Sequence, residues 1–197
     1  MVSKGLRILV VEDESIIMMG FKAFLTQLGH IIVAEAYDGE TAVELAETFR
    51  PDLIIMDVKM PKLDGIQALE KINNKPDGII PCIFVTAHSD EQLIVRATEA
   101  GAFNYLIKPI SIDSIKAAIE IAMVRFGEYR ILQEELKNTK ESLTNRKYIE
   151  RAKGILMDQF GVKEQQAMEM LQKRSRNTNK KLIEVAKEII KSSGVNG

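Results

Sequence analysis

Five times in the first 125 residues a short apolar run is followed by a stretch with helical spacing, and that alternation restricts the fold more than any other feature. Ile8-Leu9-Val10-Val11 opens the series. A helix over 15–28 follows, in which Ile16, Ile17, Phe21, Phe24, Leu25 and Leu28 recur at helical intervals until Gly29 stops it. Ile31–Ala36 precedes a helix over 41–49, and Leu53-Ile54-Ile55-Met56, ending at Asp57, precedes one over 65–73. Cys82–Val85 with helix 90–100, and Asn104–Ile107 with a helix from near Ser111, complete the series. Runs without polar alternation belong to strands covered on both faces, and βα units in succession build a parallel sheet. The expected fold class is α/β, a doubly wound five-stranded parallel sheet, with its chemistry at the carboxyl ends of the strands.

From Ile112 the pattern reads as helix almost to the end. Ile115, Ile119, Ala122, Phe126, Tyr129, Leu132, Leu136 and Leu143 form an apolar stripe that is roughly heptad, consistent with a short coiled coil. Gly127 is a candidate bend. The helical pattern continues from Tyr148 to Phe160, where Gly161 reads as a left-handed C-terminal residue. Shorter helices follow over about 164–175 and 179–191, with Asn177 or Thr178 as candidate cap of the last. The domain reading is 1–125 for the sheet domain, 126–145 for a helical linker and 146–197 for a three-helix unit.

Charge divides the chain in the same way. Residues 1–127 carry 12 Lys/Arg against 18 Asp/Glu, and 128–197 carry 15 against 10, giving −6 and +5. An acidic front and a basic back imply two tasks, the second suited to a polyanion. The single cysteine, Cys82, excludes an internal disulfide, and its apolar setting reads as a buried small hydrophobe. No apolar run is as long as a membrane span, so the expectation is a cytoplasmic protein.

Strand-end placement gathers a set of chemically distinct groups. Glu12 and Asp13 follow strand one and Asp57 ends strand three, so three carboxylates share one pocket. Crowded carboxylates repel one another without a cation, and oxygen-only ligands suit Mg²⁺. A carboxylate beside Mg²⁺ is able to attack a phosphoryl group and become an aspartyl phosphate. The Thr86 hydroxyl and the Lys108 ammonium end strands four and five, and supply the donor and the cation that phosphoryl oxygens require. Lys108-Pro109 is a candidate cis bond. His88 lies on the next loop, where a lone histidine ordinarily has no chemical role. Taken singly, each residue has a plainer explanation, since a strand-end Asp is usually a cap or a solvated turn.

Together they form a pattern. Leu9-Val10-Val11-Glu12-Asp13-Glu14, Met56-Asp57-Val58-Lys59-Met60-Pro61-Lys62-Leu63-Asp64-Gly65, Val85-Thr86-Ala87 and Tyr105-Leu106-Ile107-Lys108-Pro109 resemble the CheY-like receiver domains of bacterial response regulators over about residues 5–125. The resemblance implies Asp57 as phosphate acceptor, with Glu12, Asp13, Asp57 and the Lys59 backbone carbonyl holding Mg²⁺. It implies Thr86 and Lys108 as the pair sensing the phosphoryl group and Tyr105 as the switch aromatic. A half-buried strand aromatic is the plainer reading of Tyr105. A sensor histidine kinase is the implied phosphodonor, and no enzymatic activity is expected beyond the domain's own phosphorylation and dephosphorylation.

In the basic half, Ile149-Glu150-Arg151-Ala152-Lys153-Gly154-Ile155-Leu156-Met157, Ala167-Met168-Glu169-Met170-Leu171-Gln172-Lys173-Arg174-Ser175 and Asn179-Lys180-Lys181-Leu182-Ile183-Glu184-Val185-Ala186 resemble the ANTAR (AmiR/NasR-type) RNA-binding antiterminator domains. Ala152, Ile155, Leu156, Ala167, Leu171, Leu182, Val185 and Ala186 read as its core, and Gly154 as a point of close helix approach. Arg151, Lys153, Arg174, Arg176, Asn177, Asn179, Lys180 and Lys181, with Lys173 beside them, read as exposed residues offering charge to phosphates and amides to bases. Phe160 reads as helix-end packing, with a stacking face for a base as its alternative. The resulting expectation is a response regulator that dimerises when phosphorylated at Asp57 and binds paired hairpins in a leader transcript, so that transcription passes a terminator. The alternatives are a DNA-binding transcriptional regulator and a protein-interaction relay.

Overall fold

A computed structural model describes residues 5–74, 79–87 and 91–193. By internal contacts the chain divides into two compact units, Met1–Tyr129 and Arg130–Gly197. The first holds strands β1 (Arg7–Val11), β2 (Ile31–Ala36), β3 (Leu53–Asp57), β4 (Cys82–Thr86) and β5 (Ala102–Ile107). They pair in parallel in the order β2-β1-β3-β4-β5. Helices α1 (Ser15–Gln27), α2 (Gly39–Phe49), α3 (Gly65–Asn73) and α4 (Glu91–Glu99) alternate with them, and α5 (Ile112–Phe160) begins after β5. The doubly wound α/β expectation therefore holds.

Strand periodicity explains why each run is apolar throughout. Leu9, Val11, Ile54, Met56, Cys82 and Phe84 point to one face and pack with Ala42, Ala46, Ile66, Leu69, Ile72 and Ala97 of α2, α3 and α4. Ile8, Val10, Leu53, Ile55, Ile83 and Val85 point to the other and pack with Met18, Phe21 and Leu25 of α1 and Ile115, Ala118, Ile119 and Ala122 of α5. Cys82 is fully buried, as expected, and burial pushes its thiol up from the ordinary range. Helix α2 starts two residues earlier than its apolar periodicity indicates. The Asp38 carboxylate accepts a hydrogen bond from the Thr41 amide at 2.9 Å, which fixes the first turn around Gly39 and Glu40. Strand β5 likewise begins at Ala102 rather than Asn104.

In the second unit the C-terminal part of α5, α6 (Glu164–Thr178) and α7 (Leu182–Ser192) enclose a core of Ala152, Leu156, Ala167, Leu171, Val185, Ala186 and Ile189, with Ile155 and Leu182 packed against it. Gly161 ends α5 at φ +63°, the left-handed geometry expected of it. Three expectations fail here. Asn177 and Thr178 do not cap the last helix, because both lie inside α6; its cap is Lys181, whose amide donates to Glu184 Oε2 at 3.1 Å. Helix α6 continues because its left-handed end falls at Asn179 (φ 52°), a residue type that tolerates that conformation. Gly154 has no close helix neighbour among the described residues, since a Cβ added there meets no atom within 4 Å beyond its own stretch of helix. Phe160 is 59 % exposed, so helix-end packing does not account for it.

The apolar stripe divides. Ile115, Ile119 and Ala122 are buried against the sheet, and Phe126 and Tyr129 meet Phe103 edge-on at 5.4 and 5.8 Å between ring centroids. Leu132, Leu136 and Leu143 are exposed in the second unit. Only this later portion is available to a partner helix, and the helix is unbroken across Gly127.

Candidate functional site

The strand ends converge as the sequence requires. Glu12 and Asp13 directly follow β1, Asp57 closes β3, and Lys108 directly follows β5, tied in place by its amide hydrogen bond to the Thr86 carbonyl at 2.9 Å. Ligand oxygens of Glu12, Asp13 and Asp57 all lie within 4.8 Å of one another. Glu12 and Asp57 are buried, and Asp13 is exposed. The Lys108 ammonium donates to Asp57 Oδ2 at 2.5 Å and to Glu12 Oε1 at 3.1 Å, and stands 3.8 Å from Glu14. Asp57 Oδ1 accepts from the Lys59 amide at 3.0 Å. The Lys108–Pro109 bond is cis, as anticipated. The approach to the site is shaped by Gly65, whose N–H donates to the Val58 carbonyl at 2.9 Å. A Cβ on Gly65 would lie 2.2 Å from the Asp57 carbonyl oxygen, so no other residue fits between α3 and the end of β3.

The electrostatics are those of a site awaiting positive charge. Burial pushes the Glu12 carboxyl up from its ordinary value, and the neighbouring Asp57 adds to this, against the opposing effect of the Lys108 hydrogen bond. Burial alone lowers Lys108, but the hydrogen bonds to Asp57 and Glu12 outweigh it and hold the ammonium up. Among the described residues, none donates a hydrogen bond to the buried Glu12 Oε2; Lys108 Nζ lies 2.9 Å from it without hydrogen-bonding geometry. A buried carboxylate oxygen that accepts no hydrogen bond and has only the Lys108 charge beside it, next to two more carboxylates, is a donor set that fits Mg²⁺.

Thr86 is buried at the end of β4, the strand beside β3. Tyr105 is 43 % exposed on β5. His88 lies outside the described residues.

The two units correspond to known families. Residues 8–120 match the response regulator receiver domain and residues 137–190 match the ANTAR domain. This chain is a two-component response regulator, a receiver followed by an ANTAR domain. The transcriptional regulatory protein PdtaR of Mycobacterium tuberculosis (strain ATCC 25618 / H37Rv) is 44 % identical over 188 residues, 95 % of this chain and 91 % of that protein. Chemotaxis protein CheY of Bacillus subtilis (strain 168) is 37 % identical over 113 residues, 57 % of this chain and 93 % of that one. Among solved structures, the receiver domain of sensor histidine kinase PA1611 from Pseudomonas aeruginosa PAO1, with magnesium coordinated in its active-site cleft, superimposes with a TM-score of 0.55. It shares 32 % identity, covering 60 % of this chain and 97 % of that one. Receiver domains bind Mg²⁺ at an acidic pocket of this kind. No described helix is long and apolar enough to cross a membrane.

In the ANTAR domain the structure sorts the sequence-derived basic set. Arg151, Arg174, Arg176, Asn177, Asn179, Lys180 and Lys181 are exposed. Lys153 is not: its side chain is buried to 10 % exposure, with Nζ 2.8 Å from Glu150 and 2.6 Å from Glu164. It is a strut between α5 and α6, because its backbone position faces the core side of the helix beside Ala152. Glu150 sits three residues away on the same helix and was legible as its partner; Glu164 arrives only through the turn at Gly161. Lys180 is hydrogen-bonded to Glu188, which Arg174 also approaches at 3.8 Å. Among the described residues no carboxylate pairs with Lys173, Arg176 or Lys181.

Proposed function

We propose that Asp57 accepts a phosphoryl group from a sensor histidine kinase, and that the modified protein dimerises and binds paired RNA hairpins as a transcription antiterminator. The observation that carries this is the acidic cluster of Glu12, Asp13 and Asp57, in which Lys108 bridges Glu12 and Asp57, in a chain that also carries an ANTAR domain. An Asp57 carboxylate oxygen forms a bond to phosphorus while the donor's phosphorus–nitrogen bond breaks, and the electron pair leaves with the histidine nitrogen. Bound Mg²⁺ supplies charge neutralisation for the carboxylates and the incoming phosphoryl oxygens. Lys108, already on Asp57 Oδ2, follows the new negative charge, and the Thr86 hydroxyl donates to a phosphoryl oxygen. The protein turns over no other substrate.

Exposed Leu132, Leu136 and Leu143 give a second copy an apolar seam, and the loops of RNA hairpins offer unpaired bases for sequence-specific reading. The test is binding of structured RNA and of duplex DNA at several salt concentrations, for wild type and for Lys173→Glu/Arg176→Glu/Lys181→Glu. Preferential RNA binding that the triple variant loses is expected, with each lost phosphate contact lowering the salt slope by up to about one unit. Preference for duplex DNA identifies a DNA-binding regulator, and no nucleic-acid binding identifies a protein relay; either overturns the RNA reading.

A further inference from the structure

Glu188 places a negative charge within the basic surface of the ANTAR domain. The corner between α6 and α7 that presents this region is tightly built. Ser175 Oγ donates to the Lys180 carbonyl at 2.6 Å, the Lys180 amide donates to the Ser175 carbonyl at 3.2 Å, and Asn179 makes the left-handed turn between them. Glu188 reaches this corner from α7, with Oε1 accepting a hydrogen bond from Lys180 Nζ and Oε2 3.8 Å from the Arg174 guanidinium. The Lys180 hydrogen bond first, and the charges of Lys180 and Arg174 after it, hold the Glu188 carboxyl below its ordinary value. All three side chains remain open to solvent, at 54 % for Arg174, 47 % for Lys180 and 39 % for Glu188.

Two cations that converge on one exposed carboxylate offer the contacts that the two unesterified oxygens of a backbone phosphate accept. We propose that Arg174 and Lys180 form a seat for an RNA phosphate and that Glu188 is its resident anion, displaced when the strand binds. The inference rests on the RNA-binding reading above. Exposed ion pairs of this kind hold weakly, so exchange costs little, yet it removes part of the counterion release that a vacant pair of cations gives. Glu188 therefore lowers both the affinity for RNA and its dependence on salt.

The experiment is a titration of the full chain with a synthetic two-stem-loop RNA, beginning at about 50 mM salt, where phosphate contacts dominate whatever the loop sequence. The proteins are wild type, Glu188→Gln, Arg174→Gln/Lys180→Gln and the triple combination, each checked by thermal melting, with Glu188→Ala as a second probe. Glu188→Gln is expected to bind roughly three- to tenfold more tightly, with a salt slope steeper by up to about one unit. That gain should vanish in the Arg174→Gln/Lys180→Gln background, because the pair acts as a unit. Binding by Glu188→Gln and Glu188→Ala no tighter than wild type overturns the proposal while leaving RNA recognition intact. So does a gain that persists without Arg174 and Lys180, which makes it a general effect of net charge. A wild-type protein that fails to bind this RNA even at the lowest salt removes the RNA reading and the seat with it.

Discussion

At the scale of single residues, the receiver's chemistry depends on how charge is balanced among three carboxylates and one lysine. Replacing both Glu12 and Asp13 by Ala leaves Asp57 and Lys108 paired but removes most of the charge that attracts Mg²⁺. Phosphorylation by acetyl phosphate with Mg²⁺, followed by intact mass, should fall sharply, while thermal stability holds or rises as repulsion and the cost of burying Glu12 are relieved. Wild-type incorporation by the double variant contradicts the metal assignment. Asp38 offers a separate readout. The Lys62 ammonium at 2.7 Å and the Thr41 amide hold its carboxyl down to about 2. A carboxyl depressed by folding gives stability that is complete above its unfolded value, about 3.9, and is lost as pH falls toward 2. Asp38→Asn keeps a capping oxygen but cannot titrate, so the wild-type advantage in urea midpoint should shrink between pH 4 and 2; a constant difference contradicts this. The convergence of Glu12, Asp13, Asp57 and Lys108 was legible because the parallel sheet places strand ends together. The burial of Lys153 was not, because a lysine among charged neighbours reads as solvated until Glu164 is brought back across the turn at Gly161.

At the scale of elements, strands were easier to read than helix ends. A strand covered on both faces is apolar at every position, whereas a helix end depends on one cap or one left-handed residue. Asp38 moved the start of α2 and Asn179 the end of α6, and neither lies on an apolar stripe. The stripe itself illustrates the limit of periodicity: Ile119 and Leu143 look alike in sequence, yet one is core and the other exposed. The later residues carry the dimer prediction. Sedimentation of the phosphorylated wild type should show a dimer, and Leu136→Ser/Leu143→Ser should remain monomeric with its melting temperature little changed, since those side chains are exposed. A phosphorylated double variant that dimerises as well as wild type moves the interface elsewhere.

At the scale of the molecule, an acidic receiver unit and a basic helical unit share one chain, and the boundary between them falls inside α5. The charge division marked the two tasks in the sequence, and the family matches give each its type. On the proposed reading, modification at Asp57 would shift RNA binding only as far as it favoured the binding-competent state over the other. The most direct measurement is the RNA affinity of the full chain before and after treatment with acetyl phosphate and Mg²⁺, with Asp57→Asn taken through the same treatment. Phosphorylated wild type should bind the two-stem-loop RNA at least about tenfold more tightly, a coupling of about 1.4 kcal/mol, and Asp57→Asn should not respond. Equal RNA binding by modified and unmodified wild type, or the same gain in Asp57→Asn, contradicts a switch operated through Asp57.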